Sequence, residues 1–128
     1  MRLLLDTHTL LWWDGQSTLL SDTAQTALKD KNNMVVMSVV NAWEMQIKAQ
    51  LGKLTLHKPL ADIIQGQRIN NNFKLLEVGL SHVLALDHLP FHHKDPFDRL
   101  LIAQANHENL MLVSNDTRFS SYPVNLLW

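Results

Sequence analysis

The sequence contains no cysteine among its 128 residues, and it has only four glycines and four prolines. The lack of cysteine excludes a disulfide scaffold and any zinc site built from thiolates. No apolar run approaches the roughly 18 residues that span a bilayer. The apolar start of the chain already ends at Asp6, which does not fit a signal peptide. We therefore expect a soluble, cytoplasmic protein with no membrane segment.

The chain also lacks an excess of basic residues, because its formal net charge is -1. Nucleic-acid-binding proteins usually carry a basic surplus, so any contact of this chain with nucleic acid must be local. Hydrophobic residues make up 46% of the sequence, which is enough to build a core and excludes general disorder. The length suits one domain that spans residues 1–128.

Short apolar segments alternate with helical segments along the chain. The strands are predicted at residues 3–5, 34–37, 74–78 and 110–113, with a weaker fifth at 124–127. The helices are predicted between them, at residues 9–13, 21–30, 38–50, 59–70, 81–87 and 95–108. This alternation is typical of an α/β fold with a central, mostly parallel sheet of four to five strands flanked by helices.

Four acidic residues lie where such a fold places ligands. Asp6 directly follows the first strand and Asp116 follows the fourth, while Glu44 and Asp98 lie in predicted helices. In parallel sheets, ligands bind beyond the carboxyl ends of the strands, so we expect these acids to meet there. Grouped carboxylates repel one another and raise each other's pKa, which a cation relieves. Oxygen ligands favour Mg²⁺ or Mn²⁺, and such a site suits phosphodiester hydrolysis.

Each acid also has an ordinary structural explanation. Glu44 can pair with Lys48 one turn along a solvated helix face. Asp95 is a strong N-cap candidate, and Asp98 suits the positive end of the helix dipole. Asp116 can cap the turn that follows it. The prediction of an active site therefore depends on the joint placement of the acids.

Four segments, taken in order, resemble the PIN-domain ribonucleases. The segments are Asp-Thr-His-Thr-Leu-Leu-Trp at residues 6–12, Trp-Glu with Ile-Lys at 43–48, Asp-Pro-Phe-Asp-Arg-Leu-Leu-Ile-Ala-Gln-Ala at 95–105 and Val-Ser-Asn-Asp-Thr-Arg-Phe at 113–119. The resemblance covers nearly the whole chain. Within this family, the segments are most similar to the VapC-type toxins of bacterial toxin–antitoxin pairs.

The resemblance implies an endoribonuclease that depends on Mg²⁺ or Mn²⁺. It implies that Asp6, Glu44 and Asp98 are the principal catalytic metal ligands, with Asp116 as a fourth, more variable ligand. Ser114 matches a hydroxyl position beside the site, where it would bind water or phosphate. The resemblance further implies a cognate antitoxin that blocks the site and a homodimeric protein. We take Thr7 and Asp95, which lie within the matched segments, as auxiliary site residues.

Several basic residues flank the acidic segments. Arg99, Arg118, Lys48 and Lys94 are placed to hold the phosphates of single-stranded RNA, although each taken singly is ordinary surface charge. His93 lies near Asp95 and is a candidate for substrate contact.

Other features give weaker indications. The seven histidines show no metal-ligand spacing, which argues against a zinc site. Trp12 and Trp13 could stack on bases, but at helical spacing they more often lie in a core or a dimer surface.

Two other functions fit the same pattern. A receiver-like signalling domain also places a phosphoacceptor carboxylate at a strand end, but it needs a lysine after a late strand, and no lysine follows Lys94. A catalytically silent PIN fold that acts as a binding scaffold is the other alternative, against which the presence of all four acids argues. Cleavage of DNA also stays open, because the same metal chemistry cuts both polymers.

Overall fold

The computed structural model describes residues 1–128 and contains a five-stranded sheet in which all neighbouring strands are parallel. The strands are β1 (Arg2–Leu5), β2 (Met34–Ser38), β3 (Lys74–Leu76), β4 (Met111–Val113) and β5 (Leu126–Leu127). This confirms the predicted α/β fold, including the weak fifth strand at the end of the chain.

Six helices flank the sheet. They are α1 (Thr7–Gly15), α2 (Asp22–Lys29), α3 (Val39–Gln50), α4 (Leu60–Asn71), α5 (Leu80–Ala85) and α6 (Pro96–His107). Three short 3₁₀ turns lie at Ser17–Leu19, Leu86–His88 and Thr117–Ser121. None of the helices has the length and apolar character needed to cross a membrane.

The helix ends follow local sequence chemistry. Ser21 caps α2, since its hydroxyl accepts a hydrogen bond from the backbone N–H of Ala24 at 3.0 Å. Helix α4 ends at Asn71, and its C-cap, Asn72, adopts a left-handed conformation with φ of 55°. Helix α1 begins two residues earlier than predicted, because the extended Asp6 is already its N-cap. Strand β1 therefore passes into α1 through a single residue.

The sheet is buried on both faces, which explains its continuous apolar strands. Side chains alternate between the faces, so that Leu4 and Leu112 pack with α6 while Leu3 and Leu5 pack on the opposite side. All three leucines of β1 are fully buried. Strand β1 thus lies at the centre of the core, and Asp6 directly follows its last residue.

The strand order is β3-β2-β1-β4-β5. The chain therefore extends the sheet from β1 through β2 to β3, then crosses to β4 on the other side of β1. In open α/β sheets, the crevice at such a reversal is the usual ligand site, and here it lies between the carboxyl ends of β1 and β4. Receiver domains have the order 2-1-3-4-5. The receiver-like alternative is therefore wrong for this chain.

A buried glutamine links α6 to the sheet. Gln104 has no exposed surface, and its Oε1 accepts a hydrogen bond from the Ser38 hydroxyl at the end of β2. Its Nε2 donates to the backbone carbonyl of Glu77 at 3.2 Å. Buried polar groups are expensive to leave unpaired, so these contacts fix the position of α6.

We expect Gln104→Leu to lower the free energy of unfolding by about 2 kcal/mol, because it leaves the buried Ser38 O–H without an acceptor and removes the donor to the Glu77 carbonyl. Urea denaturation followed by circular dichroism measures this change. Asn106→Ala is the control, since Asn106 lies exposed on the same helix and its loss should have little effect. Equal stability of the two variants would contradict this account of the link.

Candidate active site

Carboxylates from three segments meet at the carboxyl edge of the sheet. Glu44, Asp95 and Asp98 each place an oxygen within 4.8 Å of the other two. Glu44 and Asp98 are only 3% and 5% exposed. Asp6 is also buried, and its charge is close enough to raise the pKa of Asp98. We call Asp6, Glu44, Asp95 and Asp98 the acidic pocket.

Asp6 is held at the junction of β1 and β4. Its backbone N–H donates to the Val113 carbonyl at 3.1 Å, and its Oδ2 accepts a hydrogen bond from the Ser114 hydroxyl at 2.6 Å. Burial raises the pKa of Asp6, and the Ser114 hydrogen bond partly offsets this. Ser114 also accepts from the backbone N–H of Asp116. Ser114 therefore connects two of the acids that the sequence singled out.

Glu44 is positioned by hydrogen bonds at both carboxylate oxygens. The Thr7 hydroxyl donates to Oε1 at 2.6 Å, and the Lys48 ammonium pairs with Oε2. Thr7 is held in turn by Asn41, whose Nδ2 donates to the Thr7 hydroxyl at 3.1 Å and to the Leu5 carbonyl at 3.0 Å. The predicted ion pair between Lys48 and Glu44 is therefore present. The Glu44 carboxylate, however, is buried in the pocket and does not lie on a solvated helix face.

The sequence analysis missed Asn41, which has no exposed surface. Its Oδ1 also accepts from the backbone N–H of Ser38 at 2.8 Å, so that it joins the end of β2 to the start of α1. Asn41 and Glu44 are three residues apart, which places both on one face of α3. This spacing was the feature of the sequence that could have identified Asn41 as a neighbour of the site.

Asp98, like Asp6, has a raised pKa in the pocket. Burial and the charges of Asp95, Asp6 and Glu44 raise the pKa of Asp98 from 3.8 to about 7. Asp98 therefore exchanges its proton near neutral pH in the metal-free protein.

Asp95 both caps α6 and belongs to the carboxylate group, whereas the sequence favoured the capping role alone. Its Oδ1 caps α6 by accepting from the backbone N–H groups of Phe97 and Asp98, at 2.9 and 3.1 Å. It also lies within the three-carboxylate group with Glu44 and Asp98. The cap was predicted correctly, and the structure adds membership of the pocket.

Asp116 lies beside the pocket and is paired with Arg118. The Arg118 guanidinium donates to both Asp116 oxygens, with its shortest contact, Nη2 to Oδ2, at 2.7 Å. This pairing holds the pKa of Asp116 below its usual range. The same Nη2 lies 3.7 Å from Oδ2 of Asp98. Asp116 is thus joined to the pocket through a guanidinium and is outside the three-carboxylate group.

The predicted rim residues separate into two groups. Lys48 and Arg118 border the acids, with side chains 34% and 59% exposed, and Lys94 is exposed. Arg99 does not lie on the rim, because its side chain is buried against the loop that precedes α6. It donates to the Pro90 carbonyl at 2.9 Å and to the Tyr122 hydroxyl at 3.3 Å. Arg99 is therefore a structural residue of this loop, which corrects its assignment to substrate binding.

His93 lies in the same loop, with its ring against that of Tyr122 at a centroid distance of 5.4 Å. Its Nδ1 accepts from the backbone N–H of Asp95 at 3.4 Å, and its buried Nε2 has no hydrogen-bond partner. Its charge contributes to the lowered pKa of Asp116, so it lies near that carboxylate.

Trp12 and Trp13 are half-buried and pack against the hydrophobic core. Trp13 stacks on Phe73, and its indole N–H donates to Gln67. Trp12 packs against Trp128. Their predicted packing role is confirmed.

The acidic pocket offers only oxygen donors, from carboxylates that crowd one another away from water. This donor set fits a hard divalent cation such as Mg²⁺ or Mn²⁺, and it lacks the nitrogen and sulfur ligands that zinc sites use. The residues able to hold such an ion are Asp6, Glu44, Asp95 and Asp98, with Asp116 available once Arg118 moves aside.

Solved structures share the fold of this chain at low sequence identity. VapBC2 from Rickettsia felis, bound to a DNA fragment from its promoter, has a TM-score of 0.75 and 18% identity, covering 99% of this chain and 98% of that one. DNA-bound VapBC from Salmonella typhimurium has a TM-score of 0.70 and 12% identity, covering 99% and 97%. A toxin–antitoxin complex from Klebsiella pneumoniae has a TM-score of 0.61 and 19% identity, covering 98% and 96%.

No curated protein sequence matches the chain significantly. The family profile described as the PIN domain, however, matches residues 3–125, which include β2, β3 and β4, all but the first residue of β1, and all the acids of the pocket. The fold, the family match and the residues at the carboxyl edge of the sheet agree, and the chain belongs to the PIN domain family.

Proposed function

We propose that this protein is a Mg²⁺- or Mn²⁺-dependent endoribonuclease that acts as the VapC-type toxin of a toxin–antitoxin pair. The observation that carries this proposal is the group formed by the Glu44, Asp95 and Asp98 carboxylates in a PIN domain, with the buried Asp6 close enough to raise the pKa of Asp98. A surface role does not account for burying so many like charges together, because their repulsion and desolvation oppose folding.

The chain's own residues prepare the pocket for a cation. Thr7 fixes one oxygen of Glu44, and Ser114 fixes one oxygen of Asp6, so that both carboxylates are oriented in advance. A divalent ion bound there would activate water for attack on a phosphodiester and stabilise the charge that develops on the phosphate. Lys48 and Arg118 lie at the border, where their side chains can contact the phosphates on either side of the cleaved bond.

A protein partner is the second part of the proposal. The solved structures similar to this chain include toxin–antitoxin complexes, which supports a cognate antitoxin that covers the pocket. The contacts of Lys48 and Arg118 demonstrate that basic side chains fit among these acids, so a basic residue of an antitoxin can occupy the same place. We further propose that the protein is a cytoplasmic homodimer, as the family resemblance implies.

A silent PIN scaffold is the remaining alternative. It requires no metal, whereas the pocket holds the three principal ligands that the family resemblance implies, Asp6, Glu44 and Asp98. Metal titration by calorimetry distinguishes the two, because a scaffold without metal affinity would give no binding heat. Comparison of RNA and DNA substrates in the same assay identifies which polymer is cut.

We expect Asp6→Asn to lower Mg²⁺-dependent cleavage of RNA at least about 100-fold, because it removes a charged ligand from a preformed pocket. Cleavage of a labelled single-stranded RNA, with circular dichroism to verify folding, measures the effect. Asp62→Asn is the control, since Asp62 is an exposed acid on α4. Full activity of Asp6→Asn, or of the wild-type protein in EDTA, would refute the proposal.

The raised pKa of Asp98 predicts a pH-dependent metal affinity. A proton on Asp98 competes with the cation, so affinity for Mg²⁺ should fall as pH decreases through about 7 and should level off above it. The limiting slope for one competing proton is about tenfold per pH unit. Calorimetry between pH 6 and 8, in buffers of different ionisation enthalpy, measures the affinity and the proton released on binding.

Asp98→Asn provides the matched control for this titration. It keeps the shape of the side chain but has no proton to exchange, so its weaker affinity should vary less with pH than that of the wild type; Asp6 is then the one pocket acid with a raised pKa. A wild-type affinity that varies no more steeply with pH than that of Asp98→Asn would contradict the assignment of Asp98 as a titrating ligand.

A further inference from the structure

An aromatic pair lies at the edge of the acidic pocket. Trp43 of α3 and Phe97 of α6 meet edge to face, with ring centroids 4.8 Å apart and an angle of 80° between their planes. Each ring directly precedes a pocket carboxylate in the sequence, since Trp43 precedes Glu44 and Phe97 precedes Asp98. The pair therefore connects the two helices that supply these carboxylates.

The Trp43 side chain is 47% exposed, although its packing role needs only the contact with Phe97. Phe97 is half-buried and supports the indole from one side. Helix α3 is fixed at its start by Ser38 and Asn41. The exposed part of the indole is thus presented to solvent on a rigid element, so a ligand that stacks there meets a ring that is already oriented.

Two cations border the same pocket. Lys48 lies one turn beyond Glu44 on α3, and Arg118 contacts Asp98 and Asp116. Sites for single-stranded nucleic acid combine cations that follow the backbone with aromatic side chains on which bases stack. Trp43, Lys48 and Arg118 supply both parts around one set of carboxylates.

We propose that Trp43 is the base-stacking residue of the enzyme and holds a nucleobase next to the phosphate that the acidic pocket cuts. This inference rests on the proposed ribonuclease function and assigns a base-contacting residue to it. Bases inside a duplex have both faces covered, so a stacking residue at this place selects unpaired RNA such as loops and single strands. Trp43 acts on substrate binding and leaves the chemical step to the carboxylates.

The surroundings of Trp43 favour RNA over a protein partner. A protein–protein interface usually has a contiguous apolar patch at its centre. Gln46, one turn from Trp43, is exposed and polar, and Lys48 is charged. Other strongly exposed apolar side chains lie on separate segments, with Leu51 two turns away at the C-cap of α3 and others on the loop before α6, on α4 and on α5: Phe91, Ile69 and Leu84. The exposed indole thus stands among polar and cationic groups that suit a polyanion.

The test compares Trp43→Ala and Trp43→Phe in the full-length protein, with a single-stranded oligoribonucleotide as substrate and Mg²⁺ as the metal. Loss of one stacked base should raise KM about tenfold for Trp43→Ala while kcat stays unchanged. Trp43→Phe should retain most of the affinity, because phenylalanine still offers a ring face. Leu84→Ala is the control, since Leu84 is 62% exposed on α5 and should keep the wild-type KM.

A second measurement records binding without turnover. In EDTA, the same RNA should quench the tryptophan fluorescence of the wild-type protein, and competition against a labelled strand should give a Kd about tenfold higher for Trp43→Ala. An RNA duplex of the same sequence should bind the wild type more weakly than the single strand. Trp43→Ala should lose this preference.

The outcomes separate this inference from the function on which it rests. If the wild type cuts RNA but Trp43→Ala keeps the wild-type KM, Kd and strand preference, the stacking role is wrong and the ribonuclease stands. If the wild type neither binds nor cuts RNA, both are wrong. If Trp43→Ala changes the sedimentation coefficient and leaves RNA affinity unchanged, Trp43 belongs to a protein interface and the stacking role is overturned.

Discussion

Repulsion among buried carboxylates is the constraint around which this structure is arranged. Glu44, Asp95 and Asp98 crowd one another, and Asp6 adds a fourth charge away from water. Every one of these acids except Asp98 accepts a hydrogen bond at its carboxylate: Glu44 from Thr7, Asp6 from Ser114, and Asp95 from two backbone N–H groups. These donors orient the acids, but they do not remove the net negative charge of the pocket.

Positive charge within the chain makes the metal-free state tolerable. Lys48 pairs with Glu44, Arg118 pairs with Asp116, and Asp98 keeps a proton up to a pH of about 7. The start of α6, with its partial positive charge, lies at Asp95. Under the proposed function, a divalent ion that entered the pocket would compete with a proton and two side chains, and its affinity would reflect that competition as much as the number of ligands.

Local sequence chemistry predicted the fold and most of the acids, because strands, caps and strand-end positions depend on neighbours in the chain. The apolar strands, the Asp95 cap and the position of Asp6 at the end of β1 follow from such patterns. The errors concern contacts between distant segments. Arg99 is buried because Tyr122 and Pro90 close over it, and no feature near Arg99 in the sequence reveals this.

The same limit explains the residues that the sequence analysis overlooked. Asn41 matters because it meets Thr7 and Leu5, which lie more than thirty positions away. Trp43 gains its place from Phe97 on another helix. Such pairings depend on how α3 is rotated about its axis and on where α6 crosses it, and neither is encoded in a short motif.

The single-residue connection between β1 and α1 has an evolutionary consequence. Because Asp6 alone spans it, an insertion there would displace a ligand and the helix behind it together. The longer connection at residues 51–59 contains no strand, no helix and none of the pocket acids. Related chains can therefore change in length at that connection, whereas the segment that carries Asp6 has no residue to spare.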